Sequence, residues 1–329
     1  MSKVFYTINF FLLGFALTAQ TFELEQIQQL FRPRLKMDAR YIFNSEIKDT
    51  SGMFNHGETS LAFTFPIRTK LGAEVKLDVQ SLKLKDILKN SVKLQASQTL
   101  GIMRFGGRQT TIGFDSLPVK NTMNASMGML GVRLTKKYRV RFWSAVANIS
   151  EQDKTLPNVV PRATAMIGQL HLRGIKKSFF YGIAAVYSDG LLLPAPFFGG
   201  SQPIGKKFIF NYTLPVQINL QYKDDRKTLI TAGISADGFR TGILYHQNRV
   251  NLNYTSVYSF LNLRYKFSNT FSARAEGGYV LYQNLRYSGD DSYKRVYYPG
   301  TGPYVQAGFS VLFGKTVWEK IMDGLTFNK

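Results

Sequence analysis

Phe208–Tyr222 reads FIFNYTLPVQINLQY, and its alternation decides the fold class. Phe208, Phe210, Tyr212, Leu214, Val216, Ile218, Leu220 and Tyr222 share one face of a period of two. Ile209, Asn211, Thr213, Pro215, Gln217, Asn219 and Gln221 share the other. A helix would scatter the first set around its axis, whereas an extended strand sends successive side chains to opposite faces. The same split recurs along the chain. Ala73, Val75, Leu77 and Val79 alternate with Glu74, Lys76, Asp78 and Gln80; Leu35, Met37, Ala39, Tyr41 and Phe43 alternate with Lys36, Asp38 and Arg40. Val305, Ala307, Phe309, Val311 and Phe313 alternate with Gln306, Gly308 and Ser310. The chain is all-β.

A soluble sandwich also alternates, so the connections have to separate the cases. Short polar turns are expected at Arg68–Lys70, Thr135–Tyr138, Lys176–Ser178, Lys223–Arg226 and Ser268–Thr270. Long connections are expected near 47–56, 84–125, 150–162, 190–206, 237–249 and 285–302. Short and long alternate, as in an up-and-down transmembrane β-barrel with tight periplasmic turns and longer external loops. Greek-key crossovers have no reason to do so. The strands are expected at 35–46, 57–67, 71–83, 126–135, 138–149, 163–174, 178–189, 207–222, 227–236, 250–267, 270–284 and 303–314, with a bulge or a partly extramembranous segment near Phe260, where 250–267 changes phase. That makes about twelve, an even number that leaves both termini on the periplasmic side. Phe65, Phe179, Tyr181, Tyr222, Tyr265, Phe267, Phe271 and Phe313 fall near short turns; Tyr41, Tyr187, Phe208 and Phe210 fall near long loops. Those two bands suit the girdles at the two headgroup levels.

The flanks fit an outer-membrane address. Lys3, the apolar run Phe10–Leu17 and the small residue Ala19 read as a signal peptide over 1–19, too short to remain as a spanning helix. A periplasmic linker, 20–34, then leads to a barrel over 35–314. Zero cysteines among 329 residues exclude disulfides and a lipid-bearing cysteine. A net charge of +21 ordinarily suggests nucleic acid. An embedded barrel offers no soluble basic face, so no nucleic-acid partner is expected. Basic residues at the turns instead suit outer-membrane lipid and lipopolysaccharide phosphates.

Thr18-Ala19-Gln20 resembles the signal ending of secreted Bacteroidota proteins. Tyr187–Lys223, with its Pro-rich stretch, its Leu214-Pro215 step and the turn beyond, is similar to a family of uncharacterised outer-membrane β-barrels of those bacteria. The resemblance implies the fold and the cell outer membrane, and no chemistry. Gly308–Phe313 looks like the signal read by the barrel-assembly machinery. Beyond it, Thr316-x-x-Glu319 and the stripe Val317, Trp318, Ile321 and Met322 predict a short amphipathic helix in the tail, 315–329. That helix would lie at the inner headgroup level or dock a partner.

Catalytic patterns are missing. His56 and His246 are expected in external loops and His171 inside the barrel, with no Gly-x-Ser-x-Gly or His-Glu-x-x-His motif. Ser45-x-x-Lys48 lacks the companion motifs of a Ser-Lys enzyme. Neither Asp49–Gly52 nor Tyr287–Asp291 fits a calcium loop. Neither an enzyme nor a cofactor is expected. Arg104-Phe105-Gly106-Gly107-Arg108 is the one basic glycine motif. It lies in the long 84–125 segment, without the strand–loop–helix context of a phosphate cradle, and Arg104 and Arg108 become candidates for a constriction loop folded into the pore.

The strand phases place Lys36, Arg40, Lys76, Arg133, Arg139, Arg141, Arg173, Arg264, Lys266 and Arg274 in the lumen or at its mouth, against Asp38, Glu58, Glu74, Asp78 and Glu276. A cationic lining favours a passive diffusion channel for small anionic solutes. The same residues fit a packed, non-conducting barrel serving as accessory or scaffold subunit of an outer-membrane complex for assembly, adhesion or secretion.

Overall fold

A computed structural model describes residues 33–314 apart from 76–91 and the short connections 114–118, 137–138, 153–159, 174–176, 189–190, 224–226, 246–247 and 289–293. The signal segment, nearly all of the linker, His246, Lys76, Asp78 and the tail with its expected helix lie outside the described residues. Among the described residues every regular element is a strand. In chain order they are β1 (Arg34–Glu46), β2 (Met53–Val75), β3 (Val92–Ile112), β4 (Val119–Lys136), β5 (Arg139–Gln152), β6 (Val160–Leu172), β7 (Ser178–Ser188) and β8 (Leu191–Ile204). There follow β9 (Phe208–Leu214), β10 (Gln217–Tyr222), β11 (Thr228–Tyr245), β12 (Asn248–Lys266), β13 (Phe271–Ser288), β14 (Lys294–Tyr297) and β15 (Gly302–Leu312).

Fourteen of them close a ring. Successive strands from β1 to β13 pair antiparallel, β13 pairs with β15, and β15 returns to β1 from Arg34↔Leu312 to Ile42↔Tyr304. β14 only extends the free side of β13. Closure leaves no sheet edge along the seam, the condition for a barrel in lipid. Arg34 and Leu312 share one rim, called the near rim below; the turn after β1 lies at the far rim.

Fourteen strands replace the expected twelve for three local reasons. Arg68–Lys70 is no turn: β2 continues through a register shift between Pro66 and Arg68 and pairs with β3 beyond the point where β1 begins, so the β2–β3 hairpin projects past the near rim. Residues 84–125 and 190–206 are not loops but contain β3 and β8. Residues 208–222 are two short strands turning at Pro215 and Val216. Phe208 therefore faces Tyr222 at the near rim, ring centroids 5.1 Å apart, rather than belonging to the far girdle.

The outer face is apolar: Met127, Leu192, Ile167 and Leu261 are 67%, 65%, 60% and 59% exposed. So large an apolar surface needs lipid, not water. Trp143 lies on this face and covers Gly131 on the neighbouring strand so closely that a Cβ there would overlap its indole.

The far half of the interior is filled. On β11, residues 228–235 alternate as a wall strand should, with Ile234 exposed; from Ala236 to Ile243 no residue is exposed on either face. β12 repeats this, alternating from Phe260 to Lys266 and covered on both faces over 250–256. The upper β11–β12 hairpin therefore leaves the wall and enters the barrel. It reaches β5, where Gly242 pairs with Glu151 and Ser150 donates from Oγ to Thr241 Oγ1 at 2.9 Å. A bulge opposite Val257–Tyr258, which puts an extra residue on β13 at Leu281, marks where the sheet bends. Phe239, Ile243, Leu252 and Tyr254 of the hairpin then pack with Ile42, Phe54 and Ile112 of β1–β3 and with Leu285 and Tyr287 of β13. A second apolar cluster, including Phe142, Leu170, Phe180 and Phe197, lines β5–β8 lower down.

Candidate functional site

A cavity of about 230 Å³ lies below the inward hairpin, on the β1–β3 and β10–β15 side of the lumen. Its wall carries seven cations (Arg34, Lys36, Arg40, Arg104, Arg108, Arg264 and Arg274) and four carboxylates (Asp38, Glu58, Asp237 and Glu276). Strand parity places them: residues two apart on β1 send Lys36, Asp38 and Arg40 inward, and Arg104 and Arg108 of β3 meet Glu58 of β2 across the ladder. Gly106 stands between the two arginines, where a Cβ would strike Asn124 Oδ1 and the Thr59 carbonyl. That is why glycine sits mid-strand.

The charges fall into two groups. Near the rim, Asp38 accepts from Arg274 through Nε at 2.8 Å and Nη2 at 2.6 Å, and pairs with Lys36 Nζ at 2.9 Å. Deeper, Glu58 is the hub. Its carboxylate takes Arg108 at 3.1 Å, Arg40 at 3.2 Å and Arg104 at 3.6 Å. Arg40 also donates to Asp237 at 2.6 Å, tying β1 to the base of the inward hairpin. Arg108 lies over the Phe239 ring, 4.7 Å from its centroid. Glu276 accepts from Asn262 at 2.8 Å and from Tyr304 at 2.9 Å. Each carboxylate has hydrogen-bond donors around it, and the cations lining the cavity outnumber the carboxylates by seven to four.

Of the residues expected in the lumen, Lys36, Arg40, Arg264, Arg274, Asp38, Glu58 and Glu276 line this cavity. Arg104 and Arg108 line it too, but from a strand of the wall and not from a constriction loop. Glu74 belongs to β2, in the part of the strand beyond the near rim. Arg133, Arg139 and Arg141 face outward, and Arg173 is exposed beyond the end of β6. The reason is the phase of β5: Phe142 and Ser144 are buried inside, so Arg139, Arg141 and Trp143 share the outer face, with Arg141 opposite Arg133. Apolar residues line the inside of this sector, so hydrophobicity does not tell in from out there. His171 is likewise outside, stacked on Tyr181 at 5.7 Å. His56 is buried, bonded to Thr110 Oγ1 at 2.8 Å and stacked on Phe239, not in an external loop. Asp237 was hidden because 237–249 reads as a loop, and Arg34 because it precedes the first alternation.

No family model matches the chain, and no curated protein matches it in sequence. Among solved structures, an outer-membrane channel from Pseudomonas putida F1 aligns over 86% of this chain and 96% of its own, at 8% identity and TM-score 0.42. The transport unit of the autotransporter AIDA-I from Escherichia coli aligns over 94% and 97%, at 9% identity and TM-score 0.38. The P. putida toluene transporter TodX aligns over 86% and 90%, at 8% identity and TM-score 0.30. Likeness this distant adds no argument. The closed ladder alone establishes that this chain is a fourteen-stranded antiparallel β-barrel.

Proposed function

We propose that the chain is an outer-membrane β-barrel, near rim in the periplasm, that passes small anionic solutes through a narrow lumen filtered by the cationic cavity. The apolar outer belt supports the membrane location. The outward Arg133, Arg139 and Arg141 near the same rim suit anionic headgroups of the inner leaflet. The observation that carries the solute class is the cavity, seven cations against four carboxylates. Such a lining lowers the barrier to anions and raises it to cations. The inward hairpin narrows the route, and the Arg40–Asp237 pair holds it in place.

The test is conductance of the purified barrel in planar bilayers. Chloride preference over potassium is expected, diminished by Arg40→Gln with Arg104→Gln, and Asp237→Asn is expected to raise the open fraction by releasing the hairpin. The solid packing of the far half favours a second reading, a non-conducting barrel acting as accessory or scaffold subunit of an outer-membrane complex. Silence of both the wild type and Asp237→Asn would select it.

A further inference from the structure

The wall is incomplete above the β9–β10 turn. β8 pairs with β9 only from Phe198 to Ile204, so its upper part, 191–197, has no ladder on that side. β11 pairs with β10 only from Ile230 to Ser235 before it departs for β5. The stretch of β8 without a partner spans about 20 Å at the usual rise per residue. A strand edge facing hydrocarbon is strongly unfavourable unless its polar groups are removed or covered. β8 carries Pro194 and Pro196 there. Its ladder to β7 runs through both without a register shift, as prolines allow when their ring nitrogens face the other edge. The edge is thus poor in donors. Leu192 lies on its outer side, Ala195 and Phe197 on its inner side, and Pro215 and Val216 form the sill. An acyl chain along such an edge strands few N–H donors, although the Pro194 and Pro196 carbonyls, which share that edge, gain no hydrogen bond from it.

Cations stand at the upper end of the same edge. Ser188 of β7 pairs with Leu191 of β8 on one side and with Arg162 of β6 on the other, and it accepts from Arg240 of β11 at 3.2 Å. Arg162 is 7% exposed, and its Nε and Nη1 have no hydrogen-bond partner among the described residues. The charges that bear on it are Arg240 and Arg108, both positive. A guanidinium buried in this company calls for an anion. Nε and Nη1 lie on different edges of the guanidinium, so one carboxylate takes one of them in a charge-assisted hydrogen bond and does not bridge both.

We propose that the gap between β8 and β11 is a lateral site for a long-chain carboxylate, with the acyl chain along the Pro194–Pro196 edge and the carboxylate on Arg162 beside Arg240. This rests on the membrane location proposed above, but not on conduction. The probe is palmitate bearing a photoreactive diazirine on its chain, added to the full barrel in neutral phosphatidylcholine vesicles and mapped by mass spectrometry. Adducts are expected on 191–197 and 236–240, about tenfold fewer with Arg162→Gln and retained with Arg162→Lys, since a hydrogen bond to a charged group carries that factor. Labelling of the outer belt at Ile167 and Leu261 should not change. Should Arg162→Gln fail to fold, the wild type decides alone: the matching fatty alcohol must label the gap far less than the acid. Equal labelling by acid and alcohol, or adducts confined to the outer belt, overturns the proposal. A barrel silent in planar bilayers that still labels in the gap loses the channel reading and keeps this site; a conducting barrel that does not label there does the reverse.

Discussion

Glu58→Gln is the perturbation that most directly tests the lumen. In the native barrel the Glu58 carboxylate, 12% exposed, answers three arginines. Arg40 retains Asp237 after the change, and Arg104 is a third exposed and reaches water. Arg108 is different: its side chain is 7% exposed, and Glu58 is the carboxylate it pairs with. The loss is therefore chiefly one buried charge left unanswered, for which about 3–5 kcal/mol is usual. The amide still offers one acceptor, which places the expected loss at the lower end, about 3 kcal/mol. Asp38→Asn serves as the comparison, since it removes a hub of the same kind nearer the mouth, where Lys36 and Arg274 are each about a fifth exposed. About 1 kcal/mol is expected there. The difference of about 2 kcal/mol should separate the two urea midpoints by about 1 M, read from the mobility shift of folded barrel on unboiled gels. Adding Arg108→Gln to Glu58→Gln should restore at least about 1 kcal/mol by removing the stranded charge. Equal midpoints for the two single variants, or no recovery in the double, would show that Glu58 does not hold the lumen together.

Three further outcomes follow from the same geometry. Arg141→Gln should leave ion preference unchanged because Arg141 faces outward, and a fall in chloride selectivity would mean that the phase of β5 is wrong. Ile167→Arg, on the outer belt, should cost about 2–4 kcal/mol of barrel stability if the residue lies near the bilayer midplane, measured by the same urea titration; an unchanged midpoint would remove Ile167 from lipid. An epitope inserted after Asp49, exposed in the far turn, should be reached by antibody on intact cells, and one after Gly205 should not; the opposite pattern would invert the barrel.

The barrel class was legible because the alternation of 35–43 and 305–313 is strict, and these are the two strands that close the seam. The strand count was less so. The 208–222 run misleads because the partners on β9 and β10 sit at equal distances from Pro215, so both members of a pair have the same parity. Alternation passes through such a turn unbroken. β8 was concealed by Pro194, Pro196, Pro203 and Gly199-Gly200, residues that punctuate most chains; only the first two border the gap, where proline is admissible, while the others lie in the part paired with β9. It also has no polar face: Leu192 and Phe198 meet lipid while Ala195 and Phe197 meet the inner apolar cluster. That cluster also explains the outward arginines of β5: the inside of this sector is apolar, so polarity does not mark the lumen face there. The β1 half of the site, Lys36 to Arg40, was readable, because there one face is apolar and the other charged. Its Asp237 partner lies 197 residues away, and no local pattern joins them.

The β11–β12 hairpin also has a consequence for the order of assembly. Its contacts reach back to Arg40 across 197 residues and to Ser150 across 91, and its Tyr254 stacks on Phe54 of β2. Every one of those partners is synthesised earlier, while the strand that seals the ring, β15, comes later. A chain inserting hairpin by hairpin into lipid would therefore hold an open sheet of thirteen strands with its contents not yet enclosed. Seating the hairpin and sewing β15 to β1 become one concerted step, dominated by contacts of long sequence separation and hence slow. Shortening the last strand would then release the filling as well as the seam.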